Sequence, residues 1–210
     1  MTALKTEVKI DWLKYENEAK ADGFNIVCGI DEAGRGPLAG PVCAAAVILP
    51  DGCIIDGVND SKKLTEKKRE QLFEVIKETA VAYSIATADE KEIDEINILQ
   101  ATYLAMNRAF NGLKIKPDMA LVDGNRDPNL GIPTRTIVKG DANSMSIAAA
   151  SILAKVTRDR FMLEMDKKYP EYQFAKHKGY GTKLHYEMLD KYGASEIHRM
   201  SFLRKYYENK

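Results

Sequence analysis

Residues 25–42 read NIVCGIDEAGRGPLAGPV, and the fold turns on how that stretch is parsed. Asn25 to Ile30 is a short apolar run, and Pro41 to Leu49 (PVCAAAVIL) is a longer one. Both suit buried strands. Between them stand Asp31 and Glu32, followed by Ala33-Gly34-Arg35-Gly36-Pro37. Neighbouring residues of a strand point to opposite faces, so these two acids share a site only if the strand ends or twists there. The glycines and prolines supply such a break, and the amides of a tight glycine loop can bind a phosphate or a sugar hydroxyl. The loop is not a Walker A motif, because no GK[ST] follows, and it is not GxGxxG.

The same arrangement recurs outward along the chain. Met119 to Val122 (MALV) reads as a strand ending at Asp123-Gly124-Asn125. Thr134 to Val138 (TRTIV) reads as another, ending at Lys139-Gly140-Asp141. Residues 81–87 form a further strand, and Cys53 to Ile55 is expected to begin one after the Pro50-Asp51-Gly52 turn. Helices are predicted over 7–21, over 65–79 with Leu72, Phe73, Val75 and Ile76 on the apolar side, and over 89–113 with a break near Asn97. A long helix runs over 144–169 to Pro170, and two more cover 182–192 and 195–207. Strands interleaved with helices give an α/β layered fold.

The chain has 210 residues, 45% hydrophobic and 30% charged, which suffices for one well-buried core. Lys plus Arg equals Asp plus Glu at 31 each, so binding nucleic acid through bulk positive charge is excluded while a local basic groove is not. No apolar run approaches a membrane span, and the charged N-terminus lacks a signal-peptide stretch. Three cysteines without a CxxC pair argue against a disulfide framework, so a cytoplasmic, reducing setting is expected.

Any one acid at a strand end reads as a turn former. Four of them, Asp31, Glu32, Asp123 and Asp141, can meet on the carboxyl edge of a sheet, where α/β proteins bind ligands. Four carboxylates in one place repel and cannot all stay ionised alone. Hard divalent cations relieve this, since Mg²⁺ and Mn²⁺ take oxygen ligands and phosphate oxygens. Two such ions can promote attack of water at phosphorus. Glycosidases also use paired acids, but those flank a sugar, and the single tryptophan, Trp12, offers no sugar platform.

These residues resemble type 2 ribonuclease H, the ribonuclease HII family. The likeness begins with GIDEAGRGPLAGPV (29–42) and continues through DSKKL (60–64), LVDGN (121–125) and KGDANSMSIAAASILAKVTRD (139–159). It ends with YPEYQFAKHKGYGT (169–182) and GASEIHRMSF (193–202), the blocks standing in the family's order. The resemblance implies a ribonuclease H-like mixed sheet flanked by helices, with a small helical C-terminal part. It divides the chain into an N-terminal helical extension (1–25), a catalytic core (26–170) and a C-terminal region packed on that core (171–210). It implies an endoribonuclease that cuts the RNA strand of RNA/DNA hybrids and cuts 5′ of single ribonucleotides in duplex DNA. Two metal ions, Mn²⁺ or Mg²⁺, would leave 3′-hydroxyl and 5′-phosphate ends. Asp31, Glu32, Asp123 and Asp141 would be the catalytic, metal-holding carboxylates. Gly34, Arg35 and Gly36 would contact the ribonucleotide and its 2′-hydroxyl, and Tyr180 would pack on the next sugar at an RNA–DNA junction.

Four more residues complete the expected substrate surface. Lys62 stands in the DSKKL block just before a helix. Ser144 opens the long helix, where it can cap the helix or meet a phosphate. Lys176 and Lys178 flank Tyr180, and basic residues around an aromatic suit a nucleic-acid backbone. His185 and His198 read as structural, Cys28 and Cys43 as core thiols, and Arg158, Asp159 and Arg160, on one helix, as the makings of a structural ion pair. A monomer is expected. Two other readings keep the same fold: a nuclease specific for DNA, and a binding module without catalysis.

Overall fold

The computed structural model describes residues 10–208. Its centre is a five-stranded mixed sheet: β1 (Val27–Ala33), β2 (Val42–Ile48), β3 (Ala82–Ala88), β4 (Met119–Asp123) and β5 (Thr134–Ile137). Their order is β3-β2-β1-β4-β5. The first three form an antiparallel meander, and β4 and β5 then add parallel to β1. Strand β2 is buried along its whole length because helices cover both its faces, which is why it reads as an unbroken apolar run.

One face is covered by α3 (Glu90–Asn111), packed on Ile30, Ala44, Ala46 and Val122. Its start is fixed by a capping box: Glu92 N–H donates to Asp89, and Asp89 N–H donates back to Glu92. The expected break at Asn97 is present, with φ 68° inside the helix. The other face holds α2 (Glu66–Thr79) and α4 (Met145–Lys168), packed on Cys43, Ala45 and Val47. Helix α4 comes close to the sheet because β1 has a glycine beneath it. A Cβ added to Gly29 would lie 2.2 Å from the Ser146 carbonyl carbon and 2.4 Å from Ile147 N.

The structure departs from the sequence reading at several places. Strand β1 does not stop before the acids but runs through Ala33, paired to β2. Cys53 to Ile55 is a loop between two turns; Ile55 is buried by packing on α2 and α4, not by strand pairing. Val75 faces solvent, whereas Leu72, Phe73 and Ile76 are buried. The N-terminal helix is α1 (Lys14–Ala21), and residues 7–9 of the expected span lie outside the described residues. The last helix begins late, at Met200, because the stretch before it makes a bridge between His198 and Ala39. No helix among the described residues is long and apolar enough to cross a membrane.

Beyond α4 come a 3-10 turn (Pro170–Tyr172), α5 (Phe174–His177), α6 (Lys183–Tyr192) and α7 (Met200–Glu208). They pack with Leu38, Ala39 and Met162 around Phe174, Leu189 and Leu203. Three buried histidines meet there: the rings of His177 and His185 are stacked at 4.4 Å, and those of His185 and His198 are 5.1 Å apart. Burial, then the charge of a neighbouring histidine, pulls His185 and His198 each down to about 4.

Two outcomes follow from this packing. Gly29→Ala should cost about 1–3 kcal/mol, since backbone must move to admit the methyl group. An unchanged urea midpoint would show that α4 does not approach β1 so closely. The histidine pair gives a pH dependence. Unfolded histidine titrates near 6.5, so between there and about 4 the unfolded chain binds more protons than the folded one. The pair's contribution to stability is therefore complete above that window and is lost as pH falls through it. In an NMR titration two histidine rings should stay neutral down to about pH 5; a normal titration of all three would contradict the neutral cluster.

Candidate active site

Parallel pairing between β1 and β4 ends at Ile30–Val122. Each strand carries an aspartate one residue further on, so Asp31 and Asp123 stand side by side where the two strands part. Asp31 lies on the α4 face, only 4% exposed, where the Ser151 hydroxyl and the Glu32 amide hydrogen-bond its carboxylate. Glu32 alternates to the α3 face and lies 3.6 Å from Arg35. Asp123 Oδ1 accepts the Gly140 amide at 2.7 Å, which ties it to the 3-10 turn Gly140–Ala142 that carries Asp141. Lys139 enters that turn with φ 58°, swinging the chain back towards the sheet. Asp123 thus lies between acids on both faces, although β1 never breaks at Asp31 and Glu32.

Charge repulsion marks the four acids as one group. Burial, then the charges of Glu32 and Asp123, holds the Asp31 carboxyl well above the usual carboxylate range. Glu32 is raised by burial and by Asp123 against the pull of Arg35. Asp141 is raised by burial, Asp123 and Asp60, with Lys62 opposing. Lys62 Nζ is 3.6 Å from Asp141; burial lowers its pKa, but Asp141, Asp31, Asp60 and Asp123 together raise it. Among the described residues no cluster of acids, histidines or cysteines is gathered tightly enough to hold an ion as it stands. The donor set still fits one: every side-chain donor is an oxygen, and the carboxylates lack enough positive charge, which suits a hard divalent cation.

The loop after β1 is built against two buried arginines. Arg199 donates to the carbonyls of Gly34 (2.6 Å), Arg35 (3.0 Å), Pro37 (2.8 Å) and Gly40 (2.8 Å). Arg158 donates to Ala39, Pro41 and Lys178. Its helix neighbours make the structural ion pairs: Asp159 with Lys155 at 2.6 Å and Arg69 at 3.7 Å, and Arg160 with Glu70. Gly34 has φ +101°, and a Cβ there would fall 2.1 Å from Arg158 Nε, so no other residue fits. With the carbonyls turned inward, no acceptor among the described residues meets the amides of Arg35 or Gly36. A Cβ on Gly36 would sit 3.8 Å from Tyr180 Cε1, and Tyr180 is 44% exposed. The Arg158 guanidinium lies 5.8 Å from the Tyr180 ring centre.

The structure thus brings together Asp31, Glu32, Asp123, Asp141, Arg35 and Lys62, with Gly34, Gly36 and Tyr180 beside them. Three residues fall outside. Ser144 is fully buried and its hydroxyl donates to Glu16 at 2.6 Å, so an internal carboxylate already occupies the start of α4 and Ser144 is a cap with no face to a substrate. Lys176 Nζ donates to Gln173, and Lys178 Nζ donates to the Ala175 carbonyl; both are turned back onto α5. Arg199 stands in the quoted block 193–202, but its role was not legible, because its partners are carbonyls brought to it only by the fold. Ser151 was hidden likewise, one hydroxyl in a long buried helix.

Known proteins share much of this sequence and this fold. The family model described as Ribonuclease HII matches residues 28–205. The ribonuclease HII of Caldicellulosiruptor bescii is 59% identical over 194 residues, covering 92% of this chain and 94% of that protein. That of Endomicrobium trichonymphae is 62% identical over 181 residues, covering 86% of each. The crystal structure of ribonuclease H2 from Pyrococcus horikoshii superposes with a TM-score of 0.74 at 32% identity, covering 88% of this chain and 98% of that one. By its four edge carboxylates, its glycine loop and these matches, the chain belongs to the ribonuclease HII family.

Proposed function

We propose that this protein is a metal-dependent endoribonuclease that hydrolyses the RNA strand of RNA/DNA hybrids and also cuts 5′ of a single ribonucleotide set in duplex DNA. The observation that carries the reading is the span of one loop: Arg35 reaches Glu32 in the acid group, while its neighbour Gly36 borders Tyr180. Chemistry and recognition of the adjoining sugars therefore meet on one short segment.

Asp31, Glu32, Asp123 and Asp141 would hold the cations, with Mg²⁺ and Mn²⁺ as the fitting ions. Bound there, a pair of such ions promotes attack by water on the phosphodiester and stabilises the departing 3′-oxygen. The remaining work falls to the chain. Lys62 and Arg35 bring positive charge to the phosphate from either side of the acids. The amides of Arg35 and Gly36 face the ribose, where the missing Cβ of glycine lets backbone reach a 2′-hydroxyl, the group that tells RNA from DNA. The Tyr180 ring packs on the following sugar and favours deoxyribose, where no hydroxyl projects.

Cleavage of duplexes carrying zero, one or four ribonucleotides tests the reading; equal cutting of the all-DNA duplex rejects it. Asp31→Asn and Asp123→Asn should abolish turnover while hybrid binding persists. A variant that keeps more than about a tenth of the wild-type rate, on the order of 1.4 kcal/mol in barrier, removes that residue from the metal set. EDTA should stop the reaction, Mg²⁺ or Mn²⁺ should restore it, and Ca²⁺, with its longer and looser coordination, should not. Tyr180→Ala should lower kcat/KM on the single ribonucleotide much more than Tyr180→Phe does. The same loss on a continuous hybrid would move the junction preference elsewhere.

A further inference from the structure

The three histidines beside Tyr180 have every proton position fixed by their partners. His185 Nδ1 is 3.0 Å from the Tyr180 carbonyl, which only accepts, so Nδ1 carries the hydrogen. The other nitrogen of the neutral ring, Nε2, is then bare and accepts from His198 Nε2–H at 2.9 Å. That leaves His198 Nδ1 bare, and it accepts the Ser195 amide and hydroxyl, each at 2.8 Å. The hydrogen bonds thus run in one direction, from Ser195 through His198 and His185 to the carbonyl of Tyr180. His177 supports the other side. Its Nε2–H donates to the Tyr172 carbonyl at 3.0 Å, and its Nδ1 accepts the Gly179 amide at 3.2 Å. Its own carbonyl accepts the Tyr180 amide at 2.9 Å.

The Tyr180 carbonyl thus accepts from the His185 ring as well as from the Thr182 amide at 2.8 Å, the Gly179 carbonyl accepts the Leu38 amide at 2.8 Å, and the Tyr180 ring is left half exposed. Gly179 leaves the segment no slack, since it has φ +84° and lies against the Ala39 carbonyl.

We propose that His177, His185 and His198 are positioning residues that aim the Tyr180 ring at the substrate and so set the preference for an embedded ribonucleotide over a continuous RNA strand. This rests on the role given to Tyr180 above. None of the three touches the substrate or the acids; they act through the Tyr180 backbone.

The decisive measurement is the ratio of kcat/KM on a one-ribonucleotide duplex to kcat/KM on a continuous hybrid, for single and double variants. His185→Leu removes the side-chain donor to the Tyr180 carbonyl, leaving only the Thr182 amide there, and should lower the ratio about five- to tenfold, the size of one lost hydrogen bond. His185→Asn can place an amide N–H where Nδ1 stood, and should bring the ratio back to within about twofold of wild type. On a Tyr180→Ala background, His185→Leu should change the ratio no further, because a positioning residue has nothing left to position. A wild-type ratio in His185→Leu overturns the proposal, and so does a full additional loss on the Tyr180→Ala background. If Tyr180→Ala itself leaves the ratio unchanged, the role of Tyr180 fails and takes the proposal with it. Should His185→Leu not fold, His177→Gln takes its place in the same cycle. It keeps a donor to Tyr172 and removes only the acceptor beneath Gly179, and the same results support or overturn.

Discussion

Seven backbone carbonyls converge on two buried guanidinium groups, and the shape of the loop that leaves β1 depends on that convergence. Among the described residues neither Arg158 nor Arg199 has a carboxylate in ion-pair contact, so each positive charge is compensated by carbonyl dipoles. Burial accordingly lowers the pKa of both, that of Arg199 to about 9. Lysine could not substitute, since three donors at a single point cannot reach carbonyls spread over residues 34–41, whereas the planar fork of arginine can. The same contacts join parts of the chain that share no strand pairing. Arg158 comes from the middle of α4, Arg199 from the approach to α7, and both hold the loop that leaves β1.

The acid edge follows the opposite principle. There, like charges are brought together and the favourable terms are incomplete: Lys62 and Arg35 oppose the repulsion without cancelling it. Burial of Asp31 sharpens the conflict, because a carboxylate at 4% exposure has little water to turn to. The fold bears this cost through the close seating of α4 on Gly29 and the pairing of β1 with β2 past the acids. The resulting unfavourable field is the one that a divalent cation relieves.

Sheet, helices and acid group were legible in the sequence because each rests on local pattern. Apolar runs end in acids at Ile30, Val122 and Val138, and Asn97 interrupts an otherwise helical stretch. The errors lie where tertiary contact decides. Ile54 and Ile55 favour strands by type, yet turns on either side keep them in a loop. Ser144 stands where an anion could bind, but Glu16, 128 residues away, already fills the place. Arg158 sits among charges that do form ion pairs, Asp159 with Lys155 and Arg160 with Glu70, yet it turns to backbone carbonyls instead. Arg199 lies in the block 193–202 that carries the family resemblance, but its role had no local signal, because a lone arginine ordinarily reads as surface.

The bond from Arg199 to Gly34 spans 165 residues, and this gives assembly a direction. A ribosome releases the glycine loop early and the arginine that shapes it late. Until the second arrives, the carbonyls of Gly34, Arg35, Pro37 and Gly40 lack the side chain that holds them in the finished fold. All five strands precede residue 140, so Asp31, Glu32 and Asp123 stand on chain made before either arginine. The glycine loop is thus closed from the far end of the sequence, and its shape cannot be set before residue 199 is in place.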